Sequence, residues 1–149
     1  MLTPHNRQRR ILIVDDEPTL VFFLKQGLQE SEHCYFVEGA ASGEEALTKL
    51  TYNRYDLLIT DLKMPGISGF TLVEIARSLH PHINVILITA FGSLEVKDEA
   101  QHLQVDGYLT KPFPMSQLQD TVHQILENTH TSPKIMTAEP NNKETKQVY

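Results

Sequence analysis

Short apolar runs recur along the chain, and each is followed by a stretch long enough to form a helix. The clearest runs are Ile11-Leu12-Ile13-Val14, Leu57-Leu58-Ile59 and Val85-Ile86-Leu87-Ile88, with shorter or weaker candidates at Tyr108-Leu109 and Tyr35-Phe36-Val37-Glu38. Runs of this length, rich in β-branched residues and leucine, are typical of strands buried on both faces of a sheet. This repeated order restricts the possible folds more than any other feature of the sequence.

Helical patterns fill the intervals between the runs. Leu20, Leu24 and Leu28 recur at four-residue spacing after Pro18, a residue that favours the first turn of a helix. Further helices are predicted after Ser42 (which forms a capping box with Glu45), at 68–79, at 93–103 and from about residue 114 onward. Five strand–helix repeats predict an α/β fold with a doubly wound, five-stranded parallel sheet.

The composition sets the limits of the domain. The chain has 149 residues and a formal net charge of −6, so it is long enough for one core and carries no bulk positive charge for nucleic acid. We expect a flexible segment at 1–9, a folded domain at 10–128 and a disordered tail at 129–149. The absence of a signal-like or membrane-spanning apolar segment, together with a single cysteine, predicts a cytoplasmic protein that does not enter membranes.

Polar residues stand directly after the predicted strands. Asp15 and Asp16 follow the first strand, Asp61 the third, Thr89 the fourth and Lys111 the fifth. Taken singly, each is more often a turn former, a helix cap or a solvated residue. In a doubly wound sheet, however, the carboxyl ends of the strands form the ligand-binding crevice, so we expect these five side chains to meet there.

Three carboxylates in one crevice repel one another, by about 4 kcal/mol per pair at 4 Å and an effective dielectric constant near 20. Such a cluster would either raise the pKa of a carboxylate or bind a cation, and all-oxygen ligands suit Mg²⁺. With Mg²⁺ and Lys111 present, a phosphoryl group can approach, and a carboxylate can attack it as a nucleophile. Asp61 is the best candidate nucleophile because it stands alone on the central strand, while Asp15 and Asp16 are free to hold metal.

Four motifs together resemble bacterial two-component response-regulator receiver domains of the chemotaxis-regulator type. They are Asp15-Asp16-Glu17-Pro18, Asp61-Leu62-Lys63-Met64-Pro65-Gly66 with Gly69, Thr89-Ala90, and Tyr108-Leu109-Thr110-Lys111-Pro112-Phe113. The resemblance covers 10–128. It implies a flavodoxin-like (βα)5 fold with strand order 2-1-3-4-5, and phosphotransfer from a sensor histidine kinase or a phosphotransfer protein.

The resemblance also implies roles for individual residues. Asp61 is the phosphoacceptor, and Mg²⁺ is held by Asp16, Asp61 and the backbone carbonyl of Lys63, with Asp15 acting largely through metal-bound water. Thr89 and Lys111 contact the phosphoryl group, Tyr108 is the switch aromatic that turns inward with Thr89, and the Lys111-Pro112 peptide bond is cis.

Three further expectations concern the protein partners of the domain, the lifetime of its phosphoryl group and its oligomeric state. Val21 or Phe22 on the first helix is a candidate contact for the kinase, although packing in the core is the commoner role for such residues. Phe91, two residues after Thr89, is a candidate for slowing hydrolysis, with ordinary packing as the alternative. We expect a monomer or a phosphorylation-dependent dimer, either a stand-alone receiver or a fragment of a longer regulator.

Other classes of function fit the residues less well. A phosphatase with an aspartyl nucleophile commonly has a second aspartate two residues later, where this chain has Lys63, so we predict a switch rather than an enzyme. A flavodoxin-like nucleotide binder favours a Gly-, Ser- or Thr-rich loop after the first strand, where this chain has three acids. A degenerate receiver used as a scaffold is disfavoured because every site residue is present.

Overall fold

The computed structural model describes residues 7–90 and 92–128. Strands and helices alternate along these residues. The elements are β1 (Arg10–Val14), α1 (Pro18–Gln29), β2 (Phe36–Ala40), α2 (Gly43–Tyr52), β3 (Leu57–Asp61), α3 (Gly69–Leu79), β4 (Asn84–Thr89), α4 (Leu94–His102), β5 (Gly107–Thr110) and α5 (Met115–Asn128).

The five strands form one sheet in the order β2-β1-β3-β4-β5, and every neighbouring pair is parallel. Helices α1 to α4 each cross from the end of one strand to the start of the next, as a parallel sheet requires, and α5 follows β5. The order reverses between β1 and β3, where the chain turns to build the second half of the sheet. The α/β class, the parallel sheet and the strand order 2-1-3-4-5 are all confirmed.

Local sequence explains where the helices begin. Pro18 is the first residue of α1, where its missing N–H costs no hydrogen bond. Ser42, Ser68 and Ser93 are the N-caps of α2, α3 and α4, and each hydroxyl accepts a hydrogen bond from the backbone N–H three residues later. The predicted capping box forms only in part: Ser42 accepts from the N–H of Glu45, but the Glu45 carboxylate accepts from the N–H of Ala41, one residue before the cap, instead of from that of Ser42.

One strand lies further along the chain than its apolar pattern indicates. The run at 35–38 predicts the second strand, whereas β2 extends to Ala40, because Gly39 and Ala40 continue the pairing with β1 opposite Ile13 and Val14. Tyr35 is buried just before the strand begins. An edge strand with two small residues at its end has a weak hydrophobic signal, so pairing with β1 decides its extent.

The sheet buries both faces, and a different set of helices covers each. Leu24, Leu28 and Leu118 of α1 and α5 pack against one face, while Leu50 and Leu72 belong to the cluster that α2, α3 and α4 build on the other. Alternate strand residues therefore enter different cores. None of the helices in the described part of the chain has both the length and the apolar character needed to cross a bilayer.

The predicted terminal segments lie largely outside the residues that the structure describes. Residues 129–149 and residues 1–6 lie outside the described residues, so the predicted tail and most of the predicted N-terminal segment stay predictions. Of residues 7–9, Arg7 contacts Asp56 and the Gln8 amide donates to the carbonyl of Cys34. The start of the chain is thus tied to the sheet from Arg7 onward.

Candidate functional site

Strand register brings the predicted site residues to one edge of the sheet, here called the carboxyl edge (Asp15, Asp16, Asp61, Thr89 and Lys111). Val14 of β1 pairs with Thr60 of β3, so Asp15 and Asp61, the next residues on each strand path, stand side by side. Thr89 ends β4, and its carbonyl accepts a hydrogen bond of 2.8 Å from the N–H of Lys111. Register alone therefore assembles residues that are far apart in sequence.

Three acids form a cluster at this edge. Asp15, Asp16 and Asp61 each have a carboxylate oxygen within 4.8 Å of those of the other two. Asp15 is buried with 3 % of its surface exposed, Asp61 is half-buried and Asp16 faces solvent. Because the cluster is partly removed from water, the mutual repulsion of its charges is screened less than it would be on an open surface.

Lys111 is the cation that faces this cluster. Its Nζ lies 3.4 Å from Asp15 Oδ2 and 3.5 Å from Asp61 Oδ2, so a single ammonium bridges two acids. Burial acts to lower the pKa of Lys111, but the charges of Asp15 and Asp61 outweigh it and the pKa is raised. Lys111 is therefore firmly held in its charged form.

The second oxygen of each bridged acid is held by the backbone. Asp15 Oδ1 accepts a hydrogen bond of 2.9 Å from the N–H of Glu17, and Asp61 Oδ1 accepts one of 2.7 Å from the N–H of Leu62. Burial raises the pKa of Asp15 and the charge of Asp61 adds to this, while the N–H of Glu17 and the charge of Lys111 oppose it. The sequence could not predict the hydrogen bond from the N–H of Leu62, because every non-proline residue has a backbone N–H.

Thr89 and Tyr108 lie on the same side of the sheet. Thr89 is 1 % exposed at the end of β4, and Tyr108 on β5 pairs with Leu87, two residues earlier on β4. Tyr108 is buried among the residues that α2, α3 and α4 cover, and burial raises the pKa of its hydroxyl. The predicted switch pair thus occupies adjacent strands, with the tyrosine ring directed inward.

The remaining sequence candidates lie around the edge or beyond it. Lys63 is exposed in the loop between β3 and α3, and the Lys111-Pro112 bond is cis, as expected. On α1, Phe22 is 66 % exposed, whereas Val21 is half-buried and its side chain packs against Gly39 of β2. Phe91 lies outside the described residues, so its predicted effect on hydrolysis stays a prediction.

Comparison with known proteins agrees with this geometry. The family model of the response regulator receiver domain matches residues 11–123. Sporulation initiation phosphotransferase F of Bacillus subtilis is 32 % identical over 117 residues, which cover 78 % of this chain and 93 % of that protein. The transcriptional regulatory protein CusR of Escherichia coli is also 32 % identical over 117 residues, but the match covers only 51 % of its length.

Solved structures give the same result for the fold. A CheY-like receiver domain protein from Methanospirillum hungatei superposes with a TM-score of 0.78 at 32 % identity, covering 83 % of this chain and 97 % of that one. The chemotaxis protein CheY4 of Vibrio cholerae superposes with a TM-score of 0.70 at 31 % identity, covering 83 % and 99 %. The family model matches most of the chain, and the strand order and the acidic cluster at the carboxyl edge are consistent with that match. The chain belongs to the response-regulator receiver-domain family.

Proposed function

We propose that this domain is a switch in two-component signalling that accepts a phosphoryl group on Asp61. An oxygen of Asp61 attacks the phosphorus of a phosphohistidine on a sensor histidine kinase or phosphotransfer protein. The P–O bond forms as the P–N bond breaks, and the leaving imidazole takes up a proton. The position of Asp61 carries the proposal: it ends the central strand, its Oδ2 lies 3.5 Å from the Lys111 ammonium, and two more acids adjoin it.

The donor set at the carboxyl edge fits a magnesium ion. Asp15, Asp16 and Asp61 supply hard oxygen ligands within 4.8 Å of one another, and their combined charge exceeds that of Lys111. In the proposal these three carboxylates and the backbone carbonyl of Lys63 hold the ion. The bound ion would offset negative charge on the phosphoryl oxygens, which Asp61 alone would repel.

Three side chains complete the proposed switch. The Lys111 ammonium, already charged and fixed between two carboxylates, pairs with a phosphoryl oxygen after transfer. The Thr89 hydroxyl donates a hydrogen bond to another phosphoryl oxygen, and the neighbouring ring of Tyr108 occupies its inward position when Thr89 is engaged. The common face and adjacent strands of Thr89 and Tyr108 support this coupling.

The proposed kinase contact lies on α1. Phe22 exposes 66 % of its surface there, and an exposed aromatic side chain is the kind of residue that anchors protein interfaces. Val21 contributes less contact area because it already packs against Gly39. In a Phe22→Ala variant we expect slower phosphotransfer from a cognate kinase with unchanged labelling by acetyl phosphate, and equal loss of both would contradict this contact.

The proposal extends to the surroundings of the domain. We propose that it acts in the cytoplasm on a protein target, as a monomer or as a dimer formed on phosphorylation, without contacting nucleic acid itself. CusR is named as a transcriptional regulator, but this chain matches about half of its length, so that output is not carried over. Lys63 at the second position after Asp61 supports a phosphoacceptor rather than an enzyme that turns over external substrates.

The decisive experiment is incubation with Mg²⁺ and acetyl phosphate followed by intact-mass measurement. We expect one base-labile phosphate adduct on the full chain, no adduct on Asp61→Asn, and loss of labelling when the metal is chelated. Asp106→Asn is the matched control, because it removes the charge of another strand-flanking aspartate that lies away from the acidic cluster. An adduct of equal yield on Asp61→Asn would overturn the assignment.

A further inference from the structure

The residue before Asp61 carries a hydroxyl at a fully buried position of the sheet. Thr60 is 0 % exposed, and its side chain lies on the face covered by α2 and α3, because strand side chains alternate and Leu58 points there. A buried hydroxyl destabilises a core unless it is hydrogen-bonded, and valine would fill this site equally well. The hydroxyl of Thr60 donates a hydrogen bond of 2.9 Å to the backbone carbonyl of Asp61.

The first residue of α3 presses on the same carbonyl. A Cβ atom at Gly69 would lie 2.2 Å from the Asp61 carbonyl oxygen and 2.8 Å from the Cα of Leu62. These are backbone atoms, which cannot move aside as the end of a flexible side chain can. The N–H of Gly69 also donates to the carbonyl of Leu62 at 2.8 Å, so glycine lets α3 close tightly over the end of β3.

The peptide held in this way is the one that orients the Asp61 carboxylate. Its carbonyl belongs to Asp61, and its N–H belongs to Leu62, which donates to Asp61 Oδ1 at 2.7 Å and is shared with the carbonyl of Ile88 at 3.2 Å. Because a peptide unit is planar, rotation of the carbonyl moves the N–H with it. Loss of the Thr60 hydrogen bond would therefore disturb the donor that aims the carboxylate.

We infer that Thr60 is a positioning residue for phosphorylation: its hydroxyl, with Gly69 on α3, fixes the Asp61–Leu62 peptide and thereby the phosphoacceptor carboxylate. This inference rests on the proposed function, since it concerns the rate of reaction at Asp61. Among the described residues, the Thr60 hydroxyl donates to the backbone carbonyl of Asp61 and not to a carboxylate of the acidic cluster. It acts on Asp61 only through the backbone, and small errors of orientation at a reacting group are costly.

The test compares Thr60→Val with Thr60→Ser in saturating Mg²⁺ and acetyl phosphate, at a temperature well below the melting point of every variant. Thr60→Val keeps the shape but removes the hydrogen bond, and we expect the phosphorylation rate to fall about three- to tenfold. Thr60→Ser keeps the hydroxyl and should restore the rate. Thr121→Val is the control, because the Thr121 hydroxyl also donates to a backbone carbonyl, that of Gln117 on α5, and its loss should leave the rate unchanged.

Gly69→Ala provides a second measurement in the same assay. It forces the Asp61–Leu62 peptide to shift and should slow phosphorylation more than Thr60→Val does. A rate for Thr60→Val within about twofold of the parent, or a rate for Thr60→Ser as low as that of Thr60→Val, would overturn the inference. Absence of any adduct on the parent chain would instead refute the proposed phosphoacceptor, so the two failures are distinguishable.

Discussion

The two edges of the sheet use aspartate in opposite ways. At the amino edge, here the residues just before β3 and β5, Asp56 pairs with Arg7 and accepts from the N–H of Arg10, while Asp106 pairs with Arg77 and accepts from the N–H of Val85. Each of these acids has its own arginine. At the carboxyl edge, Asp15 and Asp61 share a single lysine, and Asp16 adds a third negative charge.

This difference contrasts a structural use of aspartate at the amino edge with the proposed functional use at the carboxyl edge. Asp56 and Asp106 tie the start of one strand to its neighbour, and charge-assisted bonds to backbone N–H groups contribute directly to stability. The acids of the carboxyl edge do not each have a cation of their own. A bound cation or phosphoryl group would therefore change the electrostatic free energy of this cluster strongly. An acidic cluster with incomplete compensation is what a site for Mg²⁺ requires.

The largest effect is expected when the lysine of the carboxyl edge is replaced, and the phosphorylation rate of that variant is compared with that of a variant lacking an arginine of the amino edge. Lys111→Met should lower the rate of phosphorylation by acetyl phosphate about 100-fold, since a charged group aimed at the developing phosphoryl charge is lost. Arg77→Met removes a cation paired with an acid at the amino edge and should leave the rate unchanged. Equal rates for the two variants, measured by intact mass over time, would contradict the proposed division between the edges.

The next effect is on stability: a change at the amino edge should lower the free energy of unfolding without changing the phosphorylation rate. Asp106→Ala leaves the N–H of Val85 without its acceptor and Arg77 without its carboxylate, so the free energy of unfolding should fall by about 2 kcal/mol. Urea denaturation measures it. The phosphorylation rate under native conditions should remain that of the parent, and a parallel loss of rate would show that the two edges are coupled.

A smaller effect of opposite sign is expected at the carboxyl edge without metal. Asp61→Asn removes one of three clustered charges while keeping an oxygen for the N–H of Leu62, so unfolding free energy should rise by about 1 kcal/mol. Asp56→Asn should lower it instead. Adding Mg²⁺ should stabilise the parent far more than Asp61→Asn, and an identical thermal shift for both would argue against a metal site that includes Asp61.

The smallest effect concerns Tyr35, the residue just before β2, which has no charged group to pair. Its buried hydroxyl has no hydrogen-bond partner among the described residues, and burial raises its pKa to about 12. Tyr35→Phe should therefore raise the unfolding free energy at pH 7, by about 0.5 kcal/mol. The exposed Tyr52 gives the matched control, Tyr52→Phe.

The pH dependence of Tyr35 has a definite sign. The unfolded chain loses the phenol proton near the ordinary pKa of 10.0, while the folded chain keeps it up to about 12, so stability falls as pH rises between these values. Denaturation of Tyr35→Phe across this range should show a shallower loss than the parent. A steeper loss in Tyr35→Phe than in the parent would mean that folding lowers the pKa of Tyr35 instead of raising it.

Much of the fold could be predicted because local and long-range signals agree. The apolar runs of β1, β3 and β4 are buried on both faces, and three serine caps start helices where the sequence indicates. The limits of β2 were less predictable, since Gly39 and Ala40 become strand only by pairing with β1. Side-chain pattern identifies an element, whereas backbone pairing decides where it ends.

The sequence by itself determined the order of strands and helices, the polar residue after each strand, and the hard-oxygen character of the candidate site. Only the tertiary structure decided that Asp56 and Asp106, outside the predicted cluster, are each paired with an arginine. Asp56 and Asp61 lie five residues apart at opposite ends of β3, and one meets Arg7 while the other shares Lys111 with Asp15. The physical reason is that the strength of a charge interaction depends on distance and burial, which strand register sets across more than forty residues of chain.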